Sequence, residues 1–272
     1  ANFTVDGTLQ IQGTATERVV LTSYSLTPAK GDWTGLMIDS NSTSTINFAQ
    51  IEYATYGIQF NQSGTGDTVS NSIIRFNTYG LYMFLDAHPT IAAGNEIYSN
   101  DYGIYLDGYH YNYGPDPVPT INGNSIYGNT TYNIYTEDYQ ASNDQNISID
   151  ASGNWWGTVD PIAIAATIYD RSDSSTSNYR PHVGFGGFLD GHEGTVDPNG
   201  AVTIGGALSD TNNPFTEGVS YISSGFTVAN GTTLTIPKNV EIRFLSEANF
   251  TVDGTLQIQG TATERVVLTS YS

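Results

Sequence analysis

The sequence of 272 residues contains no cysteine and only eight Lys or Arg residues, and none of its apolar runs approaches 18 residues. The absence of cysteine excludes disulfides and thiolate metal sites without fixing the compartment. The short apolar runs predict no transmembrane helix in this segment. Because 27 acidic residues give a formal net charge of −19, duplex nucleic acid is a poor partner, since phosphate binding requires Lys and Arg.

Glycine and tyrosine are abundant instead, with 29 and 19 residues, while charged residues make up only 13% of the chain. Asn, Ser and Thr are also frequent, whereas long stretches of the helix formers Ala, Glu, Lys and Leu are missing. This composition is typical of β structure with many turns.

The first and last 25 residues of the chain are identical. Residues 248–272 repeat residues 1–25 without a change, at a shift of 247 positions. A fold does not require such identity, because cores accept many apolar substitutions. The match therefore indicates a recent tandem duplication. The chain lacks an initial Met and a signal-like start, so we expect it to be a piece of a longer repetitive protein.

A shorter repeat lies within this long period. The similar tripeptides at 56–58, 79–81, 102–104 and 132–134 follow one another at spacings of 23, 23 and 30 residues. Each unit holds two or three short strands with alternating apolar residues, separated by Gly and Asn. Since one unit of about 20–30 residues cannot bury its apolar face alone, the pattern predicts a parallel β-helix in which each unit forms one coil.

Alternation within the coils assigns side chains to two faces. The residues predicted to point inward are Ile58, Phe60, Leu81, Met83, Ile104 and Leu106. Two rows of tyrosine are predicted to point outward, with Tyr82, Tyr105 and Tyr135 in one row and Tyr98 and Tyr127 in the other. Three interpretations of these rows stay open: packing within the sheet, contacts between neighbouring filaments, and a platform for glycans.

Asparagine recurs at one corner of the coils. Asn77, Asn100 and Asn129 each lie three residues after an aligned isoleucine. Asn tolerates the left-handed backbone of tight corners, and its side-chain amide can bond to the main chain of the next coil. The shared register therefore predicts an asparagine ladder along the solenoid.

The coils are expected to end near Trp155 and Trp156, in a segment that continues into a helix. Asp160 is a suitable N-cap and Pro161 a suitable first residue for an apolar helix over 161–169. Since the last coil of a solenoid exposes unpaired amides, this segment is predicted to cover it.

Composition divides the rest of the chain. Residues 170–218 lack coil spacing and are rich in Ser, Asp, Asn, Gly and Pro, which is typical of a connector between repeats. Coil-like spacing returns over 219–272. The sequence thus predicts an all-β chain with three parts: a β-helix with its terminal cap over 1–169, the connector, and the opening coils of the next repeat.

The coils resemble those of the right-handed parallel β-helix repeat proteins, a group that includes the carbohydrate-binding proteins and sugar hydrolases (CASH) domain and the NosD-like proteins. The x-G-N-x-I and Y-G-I corners carry this resemblance. The segments 228–237 and 250–261 are similar to openings of such domains in bacterial and archaeal surface proteins, and 153–161 is similar to their closing phrase. The resemblance covers 1–190 and 219–272, and it implies the fold and an extracellular, cell-surface location.

Two classes of enzyme dominate the fold that this resemblance implies. Polygalacturonase-like hydrolases resemble one another in Asn-Thr-Asp, Asp-Asp, Gly-His-Gly and Arg-Ile-Lys motifs, none of which occurs here. Pectate-lyase-like enzymes use Ca²⁺ and a basic residue, and Arg75, the only basic residue inside the regular coils, is interpreted as a surface side chain. We therefore predict no catalytic residues, and a polysaccharide lyase or hydrolase is the third hypothesis for function.

Carboxylates and sequons supply the remaining candidate sites. Hard cations bind several oxygen ligands, so Ca²⁺ is the one candidate cofactor, against the alternative that these acids are simply solvated. The carboxylates concerned are Asp101, Asp107, Asp116, Asp138, Asp144 and Asp150. The candidate glycosylation acceptors, in an exported chain, are Asn2, Asn41, Asn61, Asn129, Asn146, Asn230 and Asn249.

Together these features favour a non-catalytic structural repeat of a giant extracellular surface protein that assembles into a filament, stalk or sheath. Its partners are then other copies of the same repeat, in tandem or in neighbouring chains. The alternative is a carbohydrate-binding adhesin module, with the tyrosine rows and the 107–119 loop as its platform for glycans. The fold alone does not decide between them.

Overall fold

A computed structural model describes residues 1–108, 115–139, 147–174 and 179–271. The strands in chain order are β1 (Asn2–Val5), β2 (Thr8–Gln12), β3 (Val19–Leu21), β4 (Trp33–Ile38), β5 (Thr43–Asn47), β6 (Ala49–Glu52), β7 (Ala54–Asn61), β8 (Thr68–Ser70), β9 (Ile73–Arg75), β10 (Tyr79–Phe84), β11 (Thr90–Ile91), β12 (Glu96–Tyr98), β13 (Tyr102–Asp107), β14 (Thr120–Ile121), β15 (Ser125–Tyr127), β16 (Tyr132–Thr136), β17 (Ser148–Asp150), β18 (Ile168–Tyr169), β19 (His182–Gly184), β20 (Thr203–Ala207), β21 (Ser220–Val228), β22 (Thr233–Ile236), β23 (Glu241–Phe244), β24 (Phe250–Val252), β25 (Thr255–Ile258) and β26 (Val267–Ser270). The helices are α1 (Pro161–Ala165), α2 (Pro198–Ala201) and one 3₁₀ turn (Arg171–Asp173).

Three parallel sheets form the sides of the first stack of coils. The first sheet runs in the order β1-β4-β7-β10-β13-β16-β18, the second contains β2, β5, β8, β11 and β14, and the third contains β3, β6, β9, β12 and β15. Each strand pairs with the strand at the same place in the next coil, as where Tyr79 lies opposite Tyr102. The architecture is therefore the predicted all-β parallel β-helix.

The interior of the stack is filled by columns of apolar residues. Ile51, Ile74, Ile97 and Ile126 lie opposite one another in the third sheet and are completely buried. The inward residues predicted from alternation are also completely buried: Ile58, Phe60, Leu81, Met83, Ile104 and Leu106. Each such side chain contributes about 1.5–3 kcal/mol by leaving water.

An asparagine ladder follows one corner of the coils. Asn77 Oδ1 accepts the backbone N–H of Ala54 at 2.8 Å, Asn100 Oδ1 accepts that of Asn77 at 3.0 Å, and Asn129 Oδ1 accepts that of Asn100 at 3.1 Å. The Nδ2 of Asn77 also donates to the carbonyl oxygen of Ile51 at 3.1 Å. The side chains thus satisfy main-chain groups that the corner removes from the sheets.

A second ladder runs along another corner and was not predicted. Asn95 Oδ1 accepts the backbone N–H of Ser72 at 2.9 Å, and Asn124 Oδ1 accepts that of Asn95 at 3.3 Å. Asn154 Oδ1 continues the series by accepting the backbone N–H of Asn124 at 2.8 Å. A signal for this ladder was present in the sequence, because each of these asparagines follows a glycine at spacings of 29 and 30 residues.

Close approach of backbones explains the glycine in the Tyr-Gly corner. A Cβ atom added to Gly57 would lie 2.5 Å from the carbonyl oxygen of Gly80, and one added to Gly80 would lie 2.5 Å from that of Gly103. Such contacts are far inside van der Waals distance. The glycines therefore allow successive coils to stack at the spacing of a β-sheet.

The segment after the sixth coil differs from the prediction. The helix α1 ends at Ala165 instead of residue 169, because Ile168 and Tyr169 return to an extended conformation and pair as β18 with Ile134 and Tyr135. The first sheet therefore gains a strand beyond the two tryptophans. The tryptophan segment lies within the stack and does not cover its end.

The predicted connector is part of the packed fold. The strand β19 pairs in parallel with β17, and Val183, Phe185 and Phe188 are buried in the same apolar core as the coils. The strand β20 pairs with β21, which begins a second stack formed by β20–β26. Ile222 and Leu245 of this second stack also belong to the first core, so a continuous apolar interior joins the two stacks.

Loss of one asparagine from the first ladder should destabilise the protein. Replacement Asn77→Ala leaves the buried N–H of Ala54 and the carbonyl of Ile51 without this partner, and we expect the free energy of unfolding to fall by roughly 2–4 kcal/mol. Urea unfolding followed by circular dichroism measures the loss. Asn230→Ala, at an exposed turn, is the control and should change stability by less than about 0.5 kcal/mol. Equal losses in the two variants would contradict the role of the ladder.

Two glycines should differ in how well they tolerate a methyl group. Gly80→Ala places a methyl group against the carbonyl oxygen of Gly103, whereas Gly7→Ala meets no atom within 4 Å. We expect Gly80→Ala to destabilise the protein by about 1–3 kcal/mol and Gly7→Ala to be nearly neutral. Thermal unfolding of both variants tests the difference, and a Gly80→Ala variant as stable as the parent would be inconsistent with close stacking at this corner.

Candidate functional site

A column of tyrosines lies on the outer face of the first sheet. Tyr82, Tyr105, Tyr135 and Tyr169 occupy matching positions on β10, β13, β16 and β18. Successive ring centroids are 5.5, 4.9 and 5.0 Å apart, with interplanar angles of 14°, 20° and 12°. The first three belong to the predicted outward row, and Tyr169 extends it because β18 adds a coil.

A second column stands beside the first. Tyr56, Tyr79, Tyr102 and Tyr132 have successive centroid distances of 5.3, 5.3 and 6.5 Å. These are the tyrosines of the repeated corner tripeptides, and sequence analysis did not assign them to an outward row. Edge-on contacts link the columns, as between Tyr102 and Tyr105 at 5.2 Å and 88°. We call these eight residues of the two columns the tyrosine face.

Stacking decides which parts of these rings reach solvent. Tyr79, Tyr102, Tyr105 and Tyr135 each have a neighbouring tyrosine on both sides within their column. The ring faces of Tyr79, Tyr105 and Tyr135 are covered by stacked rings, whereas Tyr102 stacks on Tyr79 and is tilted against Tyr132. These half-buried side chains present edges and hydroxyl groups to solvent. The geometry is that of cross-strand aromatic packing, which stabilises a sheet.

Two hydroxyl groups of the tyrosine face have carboxylate partners. The hydroxyl of Tyr82 donates to Asp107, and that of Tyr105 donates to Glu137. Burial raises the pKa of both phenols far above the usual value, and the adjacent carboxylates raise it further. Both tyrosines are therefore neutral hydrogen-bond donors at ordinary pH.

An arginine lies against the far end of the face. The guanidinium of Arg180 is 5.4 Å from the ring centroid of Tyr135 and 4.8 Å from that of Tyr169. Its Nε is 3.2 Å from Asp138. This cation–π contact ties the segment after the 3₁₀ turn to the outer surface of the coils.

The predicted second row holds one stacked pair. Tyr98 and Tyr127 lie on β12 and β15, with centroids 5.3 Å apart and an interplanar angle of 6°. The hydroxyl of Tyr98 accepts a hydrogen bond from Arg75 at 3.0 Å, and Arg75 also donates to Glu52 at 3.0 Å. Arg75 is thus a half-buried bridge between neighbouring coils.

The candidate calcium ligands that the structure describes do not converge. Asp107 and Asp116 are buried, and Asp101 and Asp138 are half-buried. Asp150 is exposed, and Asp144 lies outside the described residues. Asp101 Oδ1 is 2.7 Å from Lys30 Nζ, an ion pair that competes with a metal. Within the described ranges, no group of three or more His, Cys, Asp or Glu residues is placed to hold a metal ion.

The candidate glycosylation sites differ in accessibility. Those with exposed side chains are Asn2, Asn41, Asn230 and Asn249. Asn61 is half-buried and donates to Asp39 at 2.9 Å, and Asn129 is engaged in the ladder, so a glycan on either would displace these contacts. Asn146 lies outside the described residues, as do residues 109–114 of the predicted loop platform.

The predicted cap residues take part in packing between coils. Asp160 is the N-cap of α1 and Pro161 is its first residue. Trp156 is only 2% exposed and meets the ring of Phe185 edge-on at 6.4 Å. Trp155 is half-buried and forms a parallel bridge with Ser125. These contacts join the sixth coil to the segment that follows it.

Two ionisable groups are buried where the stacks meet. The carboxylate of Asp170 accepts the backbone N–H groups of Ser172 and Val183, each at 2.7 Å. Burial nevertheless raises the pKa of Asp170 to about 7. Burial, aided by nearby Arg171, lowers the pKa of His182 to about 3. Both pKa shifts arise because a charged group is unfavourable in the interior, so each group tends to stay neutral there.

These shifts predict opposite pH dependences for two variants. Asp170 binds its proton more tightly in the folded protein than in the unfolded chain. The protonated side chain therefore stabilises the fold below pH 4, and this stabilisation is lost as the pH rises to about 7. His182 contributes above its unfolded pKa of about 6.5, and this contribution is lost as the pH falls toward 3.

The free energy of unfolding of Asp170→Asn, relative to the parent, should therefore rise with pH by roughly 1 kcal/mol per unit between pH 4 and 7. That of His182→Gln should fall with pH over the range from 3 to 6.5. Urea unfolding at a series of pH values measures both. Flat differences for both variants would show that neither group titrates abnormally.

Comparison with known proteins agrees with this architecture. A family model described as right handed beta helix region matches residues 15–158, which is more than half of the chain. No curated protein and no solved structure matches. No helix of the described ranges is long and apolar enough to cross a membrane. Since β-helices occur among enzymes and non-enzymes, the match fixes the fold without fixing an activity. The chain belongs to the right-handed β-helix family.

Proposed function

We propose that the chain is a non-catalytic structural repeat of a long extracellular surface protein, in which β-helix coils continue from one repeat into the next as a filament, stalk or sheath. The single observation that carries this proposal is the placement of the two identical segments, 1–25 and 248–272. They lie in the first and last coils of the chain.

The two copies of the segment have neighbours on opposite edges. In the first copy, β1, β2 and β3 pair with β4, β5 and β6 of the coil that follows. In the second copy, β24, β25 and β26 pair with β21, β22 and β23 of the coil that precedes. The same sequence therefore accepts a parallel neighbour on both edges. Overlap of the two copies gives an unbroken solenoid across the repeat boundary.

Side-chain burial in the two copies is complementary. Val5 and Ile11 are 7% and 6% exposed under the following coil, whereas the equivalent Val252 and Ile258 are 40% and 48% exposed. The ring of Phe250 stacks on Phe226 of the preceding coil with centroids 5.0 Å apart. A coil with both neighbours would have all of these contacts together, which supports stacking in tandem.

In this proposal the protein acts as a load-resisting rod. Main-chain hydrogen bonds and two asparagine ladders connect the coils along the axis, while the shared core makes the joint between the stacks stiff. At about 4.8 Å per coil, the eight or so coils of one period advance on the order of 40 Å. The net charge of −19 favours a solvated surface.

The carbohydrate-binding alternative is less well supported. Sugars stack on free aromatic faces, and the interior rings of the tyrosine face cover one another. Their half-buried edges fit a structural role better than a glycan platform. Within the described part of the chain, no metal cluster points to Ca²⁺-assisted cleavage of a polysaccharide either.

A protein with two periods joined through one shared copy of the identical segment tests the proposal. Small-angle scattering and electron microscopy should show one straight rod, longer than the single period by on the order of 40 Å. Two globules with a variable angle between them would reject continuous stacking.

A matched substitution sharpens this test. Ile258→Lys changes a side chain that is 48% exposed in the present chain, so it should alter stability by less than about 0.5 kcal/mol here. In the two-period protein, the same residue of the shared copy would be buried like Ile11, and its replacement should destabilise the joint by about 3 kcal/mol or more. Equal tolerance in both proteins would argue against a shared coil.

A further inference from the structure

The tyrosine face brings oxidisable phenols of successive coils into direct contact. We propose that it is a site of oxidative cross-linking, at which stacked tyrosines, first of all Tyr82 and Tyr105, are coupled to dityrosine. This modification goes beyond the proposed structural role, because it requires only the contacts within one stack of coils. It would add a covalent bond between levels that are otherwise joined by hydrogen bonds and packing.

Neighbouring rings of the tyrosine face lie close together. The rings of Tyr82 and Tyr105 are nearly parallel with centroids 5.5 Å apart, and those of Tyr105 and Tyr135 are 4.9 Å apart. Coupling joins the carbon atoms that neighbour the phenol oxygen, which lie on the ring edge. The side chains are half-buried and neighbours on adjacent strands, so coupling requires the two rings to tilt toward each other but no rearrangement of the coils.

Two phenols of the tyrosine face have proton acceptors beside them. A phenol that loses one electron becomes a strong acid, so its oxidation is easiest where a base accepts the proton in the same step. Asp107 holds the hydroxyl of Tyr82 and Glu137 holds that of Tyr105. By contrast, the hydroxyl of Tyr98 in the separate stacked pair receives a hydrogen bond from the cationic Arg75, which cannot accept a proton.

Few sulfur-containing side chains compete with tyrosine for an oxidant. The chain has no cysteine and only two methionines. Met83 is completely buried and Met37 is half-buried. Of the sulfur groups that react first in most proteins, thiols are therefore absent and one of the two thioethers is shielded. Among the aromatic side chains that lose one electron to an oxidant, tyrosine with 19 residues far outnumbers tryptophan with three.

The reaction balances with a peroxide as oxidant, used through a one-electron catalyst such as a peroxidase. Each of two tyrosines loses one electron and one proton, and the two radicals form one carbon–carbon bond. The hydrogens on the two coupled ring carbons then move to the oxygens and restore both phenols. One hydrogen peroxide takes up the two electrons and two protons and becomes two waters. The product is lighter than the parent by two hydrogen atoms.

The experiment treats the dilute, monomeric protein with a peroxidase and hydrogen peroxide. Dityrosine fluorescence measures the yield, and digestion followed by mass spectrometry locates the bond. We expect an intrachain product that links the peptide of Tyr82 to that of Tyr105, together with a shift of the urea midpoint to higher concentration. Products that involve the exposed Tyr24 and Tyr179, with none on the tyrosine face, would overturn the proposal.

Three variants define the role of the face. Tyr105→Phe keeps a stacked ring but removes the phenol and should reduce the intrachain yield several-fold, whereas Tyr24→Phe should leave it unchanged. Glu137→Gln keeps a hydrogen-bond acceptor that cannot take up the proton, so coupling at Tyr105 should slow several-fold. Circular dichroism confirms that each variant is folded. Unchanged rates in both Tyr105→Phe and Glu137→Gln would contradict the proposal.

Discussion

The structure depends on one constraint, which is that each coil lies about 4.8 Å above the last and pairs with it in register through parallel main-chain hydrogen bonds. A residue that fits at one level is therefore surrounded by its equivalents above and below. This explains the isoleucine columns of the core and the glycines of the Tyr-Gly corner, where a Cβ would meet the next backbone at 2.5 Å. It also explains why tyrosines in one position form a stack.

The same constraint creates a difficulty at the corners, where the chain turns and main-chain groups leave the sheets. Two series of asparagines resolve it, because each amide side chain both accepts a bond from the main chain of the preceding coil and donates one to it. Such buried polar columns are favourable only when every member is paired. With regular sheets, apolar columns and paired corners, the fold forms without the disulfides that many small secreted domains require.

The parts of the fold that repeat could be predicted from the sequence. Regular spacing placed the coils, the inward residues and the row of Asn77, because each recurs at the same step. The spacing did not reveal β18 and β19, because these strands have only two and three residues and do not recur at a regular step. The predicted stack therefore ended too early. The second tyrosine column was overlooked because Tyr79 was treated only as part of a corner. The buried pair of Asp170 and His182 depends on contacts between distant segments, for which one sequence carries no signal.

The spacing of 23 residues between equivalent positions has a consequence for the response of the molecule to force. Hydrogen bonds between coils lie along the axis, so tension applied to the two ends acts on them one level at a time and does not shear a whole sheet at once. Each coil that detaches releases about 80 Å of extended chain. Extension would then proceed in small regular steps that dissipate energy, and each step could reverse by rewinding a coil onto the neighbour that remains folded.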